Sequence, residues 1–404
     1  MSDQFNTIEE TIEAFRNGEI VIVMDDADRE NEGDFICAAE KVTPEHVNFM
    51  LKHGRGQTCV PLLPDTCRRL DLTQMVQDNT APLKTAFTVP VDHVRARTGI
   101  TAQEKAMAVR ALADPKSQIT DFVRPGHLFP LEAKEGGVLR RAGHTETAVD
   151  LARLAGLFPA GLLTEILDDD GDRATRDRLL QIAQEFNLKI VTVADLIKYR
   201  RRHEKIVERV AEADLPTKYG PGRIYAYKIK YETGEPIAIV YGDLSTKEAP
   251  LVRLHSSCFT GDLVASLRCD CGDQLHIALQ KIQEEGVGAL VYLPQEGRGI
   301  GLVEKIKAYA LQDSGMDTCE ANLALGHPVD LRDYGVGIQI LKDLGLKKVR
   351  LMTNNSKKVD AFIYGGFDLT VEEQVPILAP CNEHNRFYLE TKRDKMGHSL
   401  DPNI

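Results

Sequence analysis

Three cysteines near residue 260 have the spacing of a metal site. Cys258, Cys269 and Cys271 form a C-x10-C-x-C pattern. Thiolates bind zinc in a tetrahedron at about 2.3 Å, and a fourth position left to water lowers the pKa of that water to roughly 7. His255 and His276 could each complete the tetrahedron instead, so the spacing leaves both a structural and a catalytic zinc site open. Free buried thiols are the plainer alternative, although closely spaced cysteines in a reducing compartment more often indicate metal or redox chemistry.

A second concentration of reactive side chains is the acidic loop at residues 25–34 (DDADRENEGD). It directly follows residues 19–24, an apolar segment that predicts a buried strand. Carboxylates at this density repel one another unless a cation lies among them, and they suit Mg²⁺ or Ca²⁺. An EF-hand is excluded because Asn31 stands where that loop requires glycine. A solvated acidic turn is the alternative interpretation.

Several regular elements are needed to position these groups. Thr145 is predicted to cap a helix with an apolar face, which places His144 where backbone N–H groups converge and can bind phosphate. Residues 193–203 are a further predicted helix, and the arginines at 200–202 are interpreted as its solvated end. Residues 215–222, rich in proline and glycine, are predicted to form the turn that starts a second domain. Other predicted helices lie at 175–186, 304–312 and 337–344, and other predicted strands at 224–231, 236–241 and 289–293.

Length and composition limit the possible classes. The 404 residues fit two domains of about 200, which we place at 1–202 and 203–404. The predicted fold class is α+β, each domain having a mixed β-sheet core with flanking helices. Scattered cysteines, an acidic N-terminus and the lack of an apolar run of ~20 residues favour a cytoplasmic protein without a membrane span. A net charge of −11 argues against a nucleic-acid or anionic-membrane partner, whereas anionic small substrates remain compatible.

The C-terminal half, from about residue 219 to 385, resembles GTP cyclohydrolase II, a zinc enzyme of riboflavin biosynthesis. The resemblance depends on motifs in a fixed order around the cysteines. They are residues 253–257 (RLHSS), the cysteine segment followed by 272–274 (GDQ), 295–302 (QEGRGIGL), 317–322 (DTCEAN), 329–335 (VDLRDYG) and 352–358 (MTNNSKK).

This resemblance implies that zinc is held by the three cysteines and that an activated water opens GTP at C8 with release of formate. Asp330 and Arg332 match the proposed base and α-phosphate nucleophile of the family. An arginine pKa above about 12 instead favours a phosphate clamp aligned by Asp330. Tyr309 is implied to be catalytic or to contact the guanine ring, and an ordinary aromatic on a helix face is its alternative. Gln274 and Glu296 are expected to read the guanine edge. The other residues matched to the GTP site are Arg253, Leu254, His255, Ser256, Ser257, Gly297, Arg298, Thr318, Thr353 and Lys358.

The N-terminal half, from about residue 5 to 199, resembles 3,4-dihydroxy-2-butanone 4-phosphate synthase. The acidic loop is followed in order by residues 85–92 (TAFTVPVD), 97–102 (RTGITA), 124–130 (RPGHLFP) and 137–147 (GVLRRAGHTET). The whole chain therefore resembles the bifunctional fusion of the two enzymes, for which a homodimer is expected.

The second resemblance implies that Glu30 and His144 hold Mg²⁺ or Mn²⁺ and that ribulose 5-phosphate is converted to 3,4-dihydroxy-2-butanone 4-phosphate and formate. The metal would polarise the C2 carbonyl of the sugar and allow an enediol to form. Glu165, Glu32, Asp34 and His127 are the candidate proton carriers. His127 alone would more often be a loop or core residue. The residues matched to the substrate site are Arg29, Glu30, Glu32, Asp34, Arg141, Ala142, Gly143, His144, Thr145 and Glu165.

Three positions depart from the family patterns. Ser257 stands where glutamate is frequent, Ser356 where proline is frequent, and Thr164 where cysteine is common. None removes a ligand or proton carrier. Two alternatives remain: the same fusion with one inactive half, and a zinc-stabilised regulatory or nucleic-acid-binding module. The second alternative predicts a fourth zinc ligand and a basic surface with interleaved aromatics.

Overall fold

Short apolar strands flanked by amphipathic helices form both halves of the chain. The computed structural model describes residues 5–26, 29–327, 329–330, 332, 334–363 and 367–400. The chain divides into two units, Met1–Arg200 and Arg201–Ile404. Ala27 and Asp28 of the acidic loop, and Leu331 and Asp333 of the 329–335 motif, lie outside the described residues.

The first unit has a seven-stranded mixed sheet in the order β4-β5-β3-β6-β2-β1-β7. Its strands are β1 (Val21–Met24), β2 (Gly33–Ala38), β3 (Cys59–Leu62), β4 (Val91–His93), β5 (Phe122–Glu132), β6 (Gly161–Glu165) and β7 (Lys189–Thr192). The helices of this half are α1 (Ile8–Asn17), α2 (Pro44–His53), α3 (Pro64–Arg69), α4 (Ala102–Leu112), α5 (His144–Leu154), α6 (Arg176–Glu185) and α7 (Val193–His203).

The register of this sheet brings acidic residues together. β1 and β2 form an antiparallel pair in which Met24 lies opposite Gly33, so the acidic loop is the connection of a hairpin. On the other side of β2, Asp34 lies opposite Glu165 of β6. Because directly opposed residues of antiparallel strands have Cβ atoms about 5 Å apart, this register places two carboxylates beside the loop.

Two local predictions in the first half are wrong. Helix α5 begins at His144 after an extended Gly143, so Thr145 lies inside the first turn and is not the cap. Gly143 can serve there because its carbonyl accepts both the backbone N–H and the hydroxyl of Thr147. Arg200 is not a solvated helix end, since it is only 1% exposed. Its Nη1 donates to Asp150 Oδ2 at 2.8 Å and to the Gly136 carbonyl at 2.6 Å.

The second unit also has a seven-stranded mixed sheet, in the order β14-β13-β11-β12-β10-β9-β8. Its strands are β8 (Val207–Thr217), β9 (Gly220–Ile229), β10 (Ile237–Tyr241), β11 (Leu251–Ser256), β12 (Gly288–Leu293), β13 (Lys348–Met352) and β14 (Thr370–Val375). Its helices are α8 (Cys271–Glu285), α9 (Leu302–Asp313), α10 (Thr318–Ala324), α11 (Gly335–Asp343), α12 (Ser356–Ile363) and α13 (Arg386–Asp394). Two mixed sheets with flanking helices confirm the α+β prediction.

The prediction that the proline- and glycine-rich segment, residues 215–222, starts the second domain is wrong. Residues 215–217 belong to β8 and residues 220–222 to β9, which pair antiparallel with Thr217 opposite Gly220. The segment is therefore a hairpin inside the second unit. Proline is tolerated there because β8 is the edge strand of the sheet.

Parallel strands organise the functional end of the second unit. β11 pairs in parallel with both β12 and β13. Their carboxyl ends therefore lie at one edge of the sheet, and they lead into the first cysteine, the Glu296–Gly299 turn and Thr353, respectively. Ligands of such sheets bind outside the carboxyl ends of the strands. Among the described residues, no helix combines the length and apolar character that a membrane crossing requires.

The buried ion pair of Arg200 generates a stability prediction. Arg200→Met removes the charge that compensates Asp150, so we expect the unfolding free energy of the first unit to fall by about 3–5 kcal/mol. Native-state hydrogen exchange of the amides in β1 and β6 measures this change. Lys198→Met, on the same helix, removes an exposed pair with Asp195 and serves as the control. Its expected effect is below about 1 kcal/mol. Equal effects of the two variants would contradict the assignment.

Candidate active sites

The three cysteines of the second unit converge on one point. Their sulfurs lie within 4.8 Å of one another, and Cys258 Sγ is 3.8 Å from Cys269 Sγ. A tetrahedron with metal–sulfur bonds of about 2.3 Å has sulfur–sulfur edges of about 3.8 Å, so the spacing fits zinc. The backbone closes tightly around them: a Cβ at Gly261 would lie 2.9 Å from Cys269 Sγ and 3.2 Å from Cys258 Sγ.

The fourth position of this group is open in the described part of the chain. His255 Nε2 lies 3.1 Å from both carboxylate oxygens of Asp262, and His276 Nδ1 is 2.7 Å from the Tyr219 hydroxyl. No other described histidine, cysteine, aspartate or glutamate joins the three sulfurs. This geometry favours a catalytic site over a structural one, which would be closed by a fourth protein ligand.

Sequence reasoning missed Lys305, the cation beside the thiols. Lys305 is only 8% exposed. Its Nζ lies 3.1 Å from Cys258 Sγ, 3.0 Å from Thr260 Oγ1 and 2.7 Å from Glu296 Oε1. Hydrogen bonds from the Cys269 and Cys271 thiols, together with the Lys305 charge, hold the pKa of Cys258 far below its usual value. The only sequence signal for Lys305 was the helix period, which places this residue one turn before Tyr309 on α9.

Two cavities lie at this edge of the sheet and share Ser256, Cys271, Arg298, Arg332 and Tyr388 in their linings. The first is also lined by Cys258, Cys269, Tyr309 and four residues matched to the GTP site. These four are Ser257, Glu296, Gly297 and Thr318. The second contains Arg253, His255, Gln274, Thr353 and Lys358, together with Lys392 and His398. Most matched GTP-site residues therefore lie around two adjoining cavities.

The cavities are rich in hydrogen-bond donors without partners. Among the described residues, both terminal nitrogens of Arg298 and the Nε of Arg253 are buried without a hydrogen-bond partner. Buried polar groups are normally satisfied, and buried guanidinium groups call for anions. The surplus of cationic donors fits a polyphosphate.

Asp330 and Arg332 form a bidentate pair. Arg332 Nε donates to Asp330 Oδ1 at 2.8 Å, and Nη2 donates to Oδ2 at 2.6 Å. Although burial acts in the opposite direction, Arg332 lowers the pKa of Asp330, and Asp330 raises that of Arg332. Both members of the pair are thus charged, and the arginine lines both cavities.

Gln274 and Glu296 are not brought together. Glu296 lines the first cavity and accepts from Lys305 and from the Phe259 amide at 2.6 Å. Gln274 lines the second and accepts from Arg253 at 2.5 Å. Leu254 contributes only its carbonyl, which accepts from Lys358 Nζ at 2.8 Å, whereas its side chain is buried in the core against Gly337.

Tyr309 lies among the groups beside the thiols. Its hydroxyl is 3.1 Å from Thr260 Oγ1, and the Lys305 ammonium is 5.6 Å from the ring centre. Burial raises its pKa. The side chain therefore faces the cysteine cavity, so it is not merely an aromatic on an outer helix face.

In the first unit, Glu30 and His144 lie where a hard cation could bind. His144 Nε2 is 3.1 Å from the Val23 carbonyl, which can only accept, so Nε2 carries a hydrogen, and Nδ1 becomes a ligand when a cation displaces its proton. Nδ1 lies 3.8 Å from Glu30 Oε2 and 3.7 Å from Asp34 Oδ1. The oxygen-rich donor set fits Mg²⁺ or Mn²⁺.

Asp25 belongs to the same group and was missed as an individual residue, although it lies in the acidic loop. Its Oδ1 accepts the Glu32 amide at 2.9 Å, and its Oδ2 accepts the Glu30 amide at 3.1 Å and Arg29 Nη1 at 2.7 Å. Asp25 therefore folds the loop and orients Glu30 and Arg29.

The carboxylates around His144 have shifted pKa values. Burial raises the pKa of Asp34 to about 7, and burial likewise raises the pKa values of Glu165 and Glu32. For His144 burial favours the neutral form, but Asp34, Glu30 and Asp25 outweigh it and raise the pKa to about 9. Asp34 Oδ1 is buried without a hydrogen-bond partner in the described residues. Glu165 Oε2 accepts the Gln57 amide at 2.6 Å.

The start of α5 forms a cationic cradle. A Cβ at Gly143 would lie 2.5 Å from Arg141 Nη1 and 2.9 Å from Arg29 Nη2, so only glycine lets both guanidinium groups approach the backbone there. Thr145 is buried in the first turn, and Ala142 is exposed just before it. A helix N-terminus with two arginines is suited to a phosphate.

His127 stands apart from these residues. Its Nδ1 is 2.7 Å from Asp92 Oδ2, and its amide donates to Asp92 Oδ1 at 3.0 Å. It lies on β5, which β3 separates from β6 and Glu165. No hydrogen bond or ion pair among the described residues joins it to Glu30, His144 or Glu165.

These features define a two-unit protein in which each sheet presents a group of side chains that could hold a metal ion beside a cluster of cationic donors. Such a chain belongs to the class of bifunctional enzymes that act on phosphorylated small molecules. Residues 9–199 match the family model of 3,4-dihydroxy-2-butanone 4-phosphate synthase, and residues 208–376 match that of GTP cyclohydrolase II.

Full-length relatives place the two matches in one family. The chain is 54% identical over 397 residues to riboflavin biosynthesis protein RibBA of Bacillus mycoides (strain KBAB4), covering 98% of this chain and 100% of that relative. It is 52% identical over the same length to RibBA of Bacillus cytotoxicus. A solved structure of RibBX from A. baumannii, described as a two-domain 3,4-dihydroxy-2-butanone 4-phosphate synthase, matches with a TM-score of 0.70 and 35% identity over 92% of this chain and 99% of that one. The chain belongs to the bifunctional family of riboflavin biosynthesis enzymes, with the synthase domain first and the cyclohydrolase II domain second.

The position of Lys305 generates a prediction for zinc binding. Lys305→Met removes the charge beside Cys258, and substitutions of groups that support metal ligands typically cost about 10–100-fold in affinity. We expect zinc affinity, measured by chelator competition on the purified chain, to fall in that range. Lys307→Met is the matched control because the exposed Lys307 lies on the same helix and pairs with Glu304. Equal zinc affinity of the two variants would rule out this role of Lys305.

Proposed function

We propose that both halves are catalytically active and that each uses the metal-ligating group described above. Residues 1–202 are proposed as the synthase domain for ribulose 5-phosphate, and residues 203–404 as the cyclohydrolase II domain for GTP. The observation that supports this most strongly is the open three-thiol group beside cavities lined by unpartnered cationic donors.

In the synthase domain, Glu30 and His144 are the proposed ligands of Mg²⁺ or Mn²⁺, which would polarise the C2 carbonyl and make its neighbouring proton acidic. Arg141, Arg29 and the N–H groups of α5 bind the phosphate and fix the sugar relative to the carboxylates. Glu165 accepts a proton at Oε1, because Oε2 already accepts the Gln57 amide. Asp34 holds a second proton at Oδ1, with Glu32 beside it. His127, oriented by Asp92, remains a prediction without support from these contacts.

In the cyclohydrolase domain, Cys258, Cys269 and Cys271 are the proposed ligands of zinc, which would supply an activated water for attack at C8 of guanine. Arg253, Arg298, Thr353 and Lys358 bind the triphosphate. Glu296 lies next to the thiols and is proposed to contact the guanine. Since Gln274 lines the other cavity, it is proposed to hold Arg253 in position as well as to contact GTP.

Arg332 is proposed as a phosphate clamp rather than a nucleophile. Its Nε and Nη2 are committed to Asp330, and the remaining Nη1 is left for the α-phosphate. Asp330 raises the pKa of Arg332 further, which keeps the guanidinium protonated and therefore a poor nucleophile.

A zinc-stabilised regulatory or nucleic-acid module has little support, because the described residues supply no fourth ligand and the chain carries a net charge of −11. A fusion with one inactive half is the second candidate. It is favoured by one observation, that RibBX, which aligns over both halves, is described as a synthase alone. A homodimer and a cytoplasmic location stay predictions.

Separate assays of the two halves test the proposal. The purified chain is incubated with ribulose 5-phosphate and Mg²⁺, or with GTP, and formate is measured in each. We expect formate from both, with His144→Ala abolishing only the first reaction and Cys269→Ser only the second. Each variant is thus the control for the folding of the other half. Formate from ribulose 5-phosphate alone, with intact zinc content, would establish the inactive-half alternative.

The clamp assignment predicts the behaviour of Arg332→Lys. A lysine retains the positive charge but loses bidentate geometry, so we expect a raised KM for GTP with measurable remaining turnover. An alkaline quench of the unsubstituted chain during turnover, followed by intact mass measurement, should show no nucleotide adduct. An adduct on Arg332 in that sample would replace the clamp by covalent catalysis.

A further inference from the structure

The end of the chain lies beyond the region matched to the cyclohydrolase family, which stops at residue 376. Helix α13 (Arg386–Asp394) and the residues after it nevertheless reach the second cavity, and Tyr388 lines both cavities. We refer to residues 386–399 as the C-terminal segment. No motif noted in the sequence falls within it.

One attachment of the C-terminal segment is to the cysteine loop. Lys392 Nζ donates to both oxygens of Asp270 at 2.8 and 2.9 Å, and both side chains are buried. Asp270 lies between two of the cysteines and also accepts from Gln274 Nε2 at 2.6 Å. A buried ion pair with this geometry fixes α13 relative to the loop, because separating the two charges would leave each unpaired.

Two further attachments hold the other end of the segment. Lys395 pairs with Asp317 and with Glu320 at the start of α10. Residues His398 and Asn355 form an antiparallel bridge, and the Ser399 amide donates to the Asn354 carbonyl at 2.9 Å. The segment is therefore bound to residues 354 and 355, which lie between the candidates Thr353 and Lys358.

The side chains that this segment places at the cavities are suited to a nucleotide. The Tyr388 ring centre is 5.8 Å from the Arg298 guanidinium carbon and 5.0 Å from Lys392 Nζ. His398 lines the second cavity, and its Nε2 is buried with no hydrogen-bond partner among the described residues. An unsatisfied buried nitrogen among arginines and lysines matches a ligand with oxygen acceptors.

We propose that the C-terminal segment is a wall of the GTP site and that Tyr388 and His398 are GTP-binding residues. Tyr388, at the junction of the cavities, packs against the nucleoside near the α-phosphate. His398 donates a hydrogen bond from Nε2 to a phosphate oxygen. This inference rests on the proposed GTP site, and it adds binding residues from outside the matched family region.

Binding of a non-hydrolysable GTP analogue to the full, zinc-loaded chain tests the proposal by calorimetry. We expect Tyr388→Leu and His398→Ala each to raise Kd about tenfold or more, corresponding to the loss of one good contact. Phe387→Ala is the matched control, because Phe387 is the neighbouring residue on α13 and is 55% exposed. This substitution should leave Kd unchanged. Arg298→Ala is the reference variant for the GTP site itself.

Zinc content and synthase activity are measured on the same samples, since a merely structural role of the segment would change zinc retention along with Kd. A raised Kd with full zinc content supports the proposal. Unchanged Kd values for Tyr388→Leu and His398→Ala, with a raised Kd for Arg298→Ala, would overturn the inference and leave the GTP site in place. If Arg298→Ala also binds normally, the proposed GTP site itself is wrong. If Tyr388→Leu loses zinc, His398→Ala decides the question alone.

Discussion

Compensation of buried charge is the constraint on which both sites depend. Three thiolates around a divalent ion leave a net negative charge, and an unpaired charge in a protein interior is costly. Lys305 supplies a positive charge at 3.1 Å from Cys258, and Lys392 does the same for Asp270 in the loop between the other two ligands. Both lysines are buried, so each contributes to the fold of the cysteine loop as well as to its electrostatics.

The first unit meets the same constraint with carboxylates in place of thiolates. Asp25, Glu30, Glu32, Asp34 and Glu165 crowd one end of the sheet, and the available cations are Arg29 and His144. The positive charge does not fully compensate these carboxylates, which is why burial can raise the pKa of Asp34 to about 7. A divalent ion would complete the compensation, whereas in the second unit an anionic substrate would satisfy the surplus donors. Each half thus leaves uncompensated a charge opposite to that of the ligand proposed for it.

The sequence was sufficient for features that depend on local pattern. Runs of apolar residues located the strands β1, β9, β10 and β12, and the spacing of the cysteines predicted their convergence. Contacts between residues distant in sequence were not predictable in this way. Arg200 looks like part of a solvated basic run, yet it is buried because Asp150, fifty positions earlier, lies within 2.8 Å. Lys305 and Lys392 are likewise ordinary helix lysines until the fold places them beside Cys258 and Asp270. The start of α5 at His144, with Gly143 as its cap, was likewise not decided by local pattern, because threonine and glycine are capping residues of similar strength.

The register of strands explains why the matched motifs lie so far apart in the sequence. In the second unit, parallel pairing of β11 with β12 and β13 requires long crossovers, so the three segments at the carboxyl ends come from residues near 256, 296 and 353. The fourth contribution, from the C-terminal segment, reaches the same edge without being a strand. It depends on the Lys392–Asp270 pair and on backbone bonds to Asn354. Charge pairing between loops joins these separated segments, and Lys392, which neutralises Asp270, therefore also fixes where the cavity-lining Tyr388 lies.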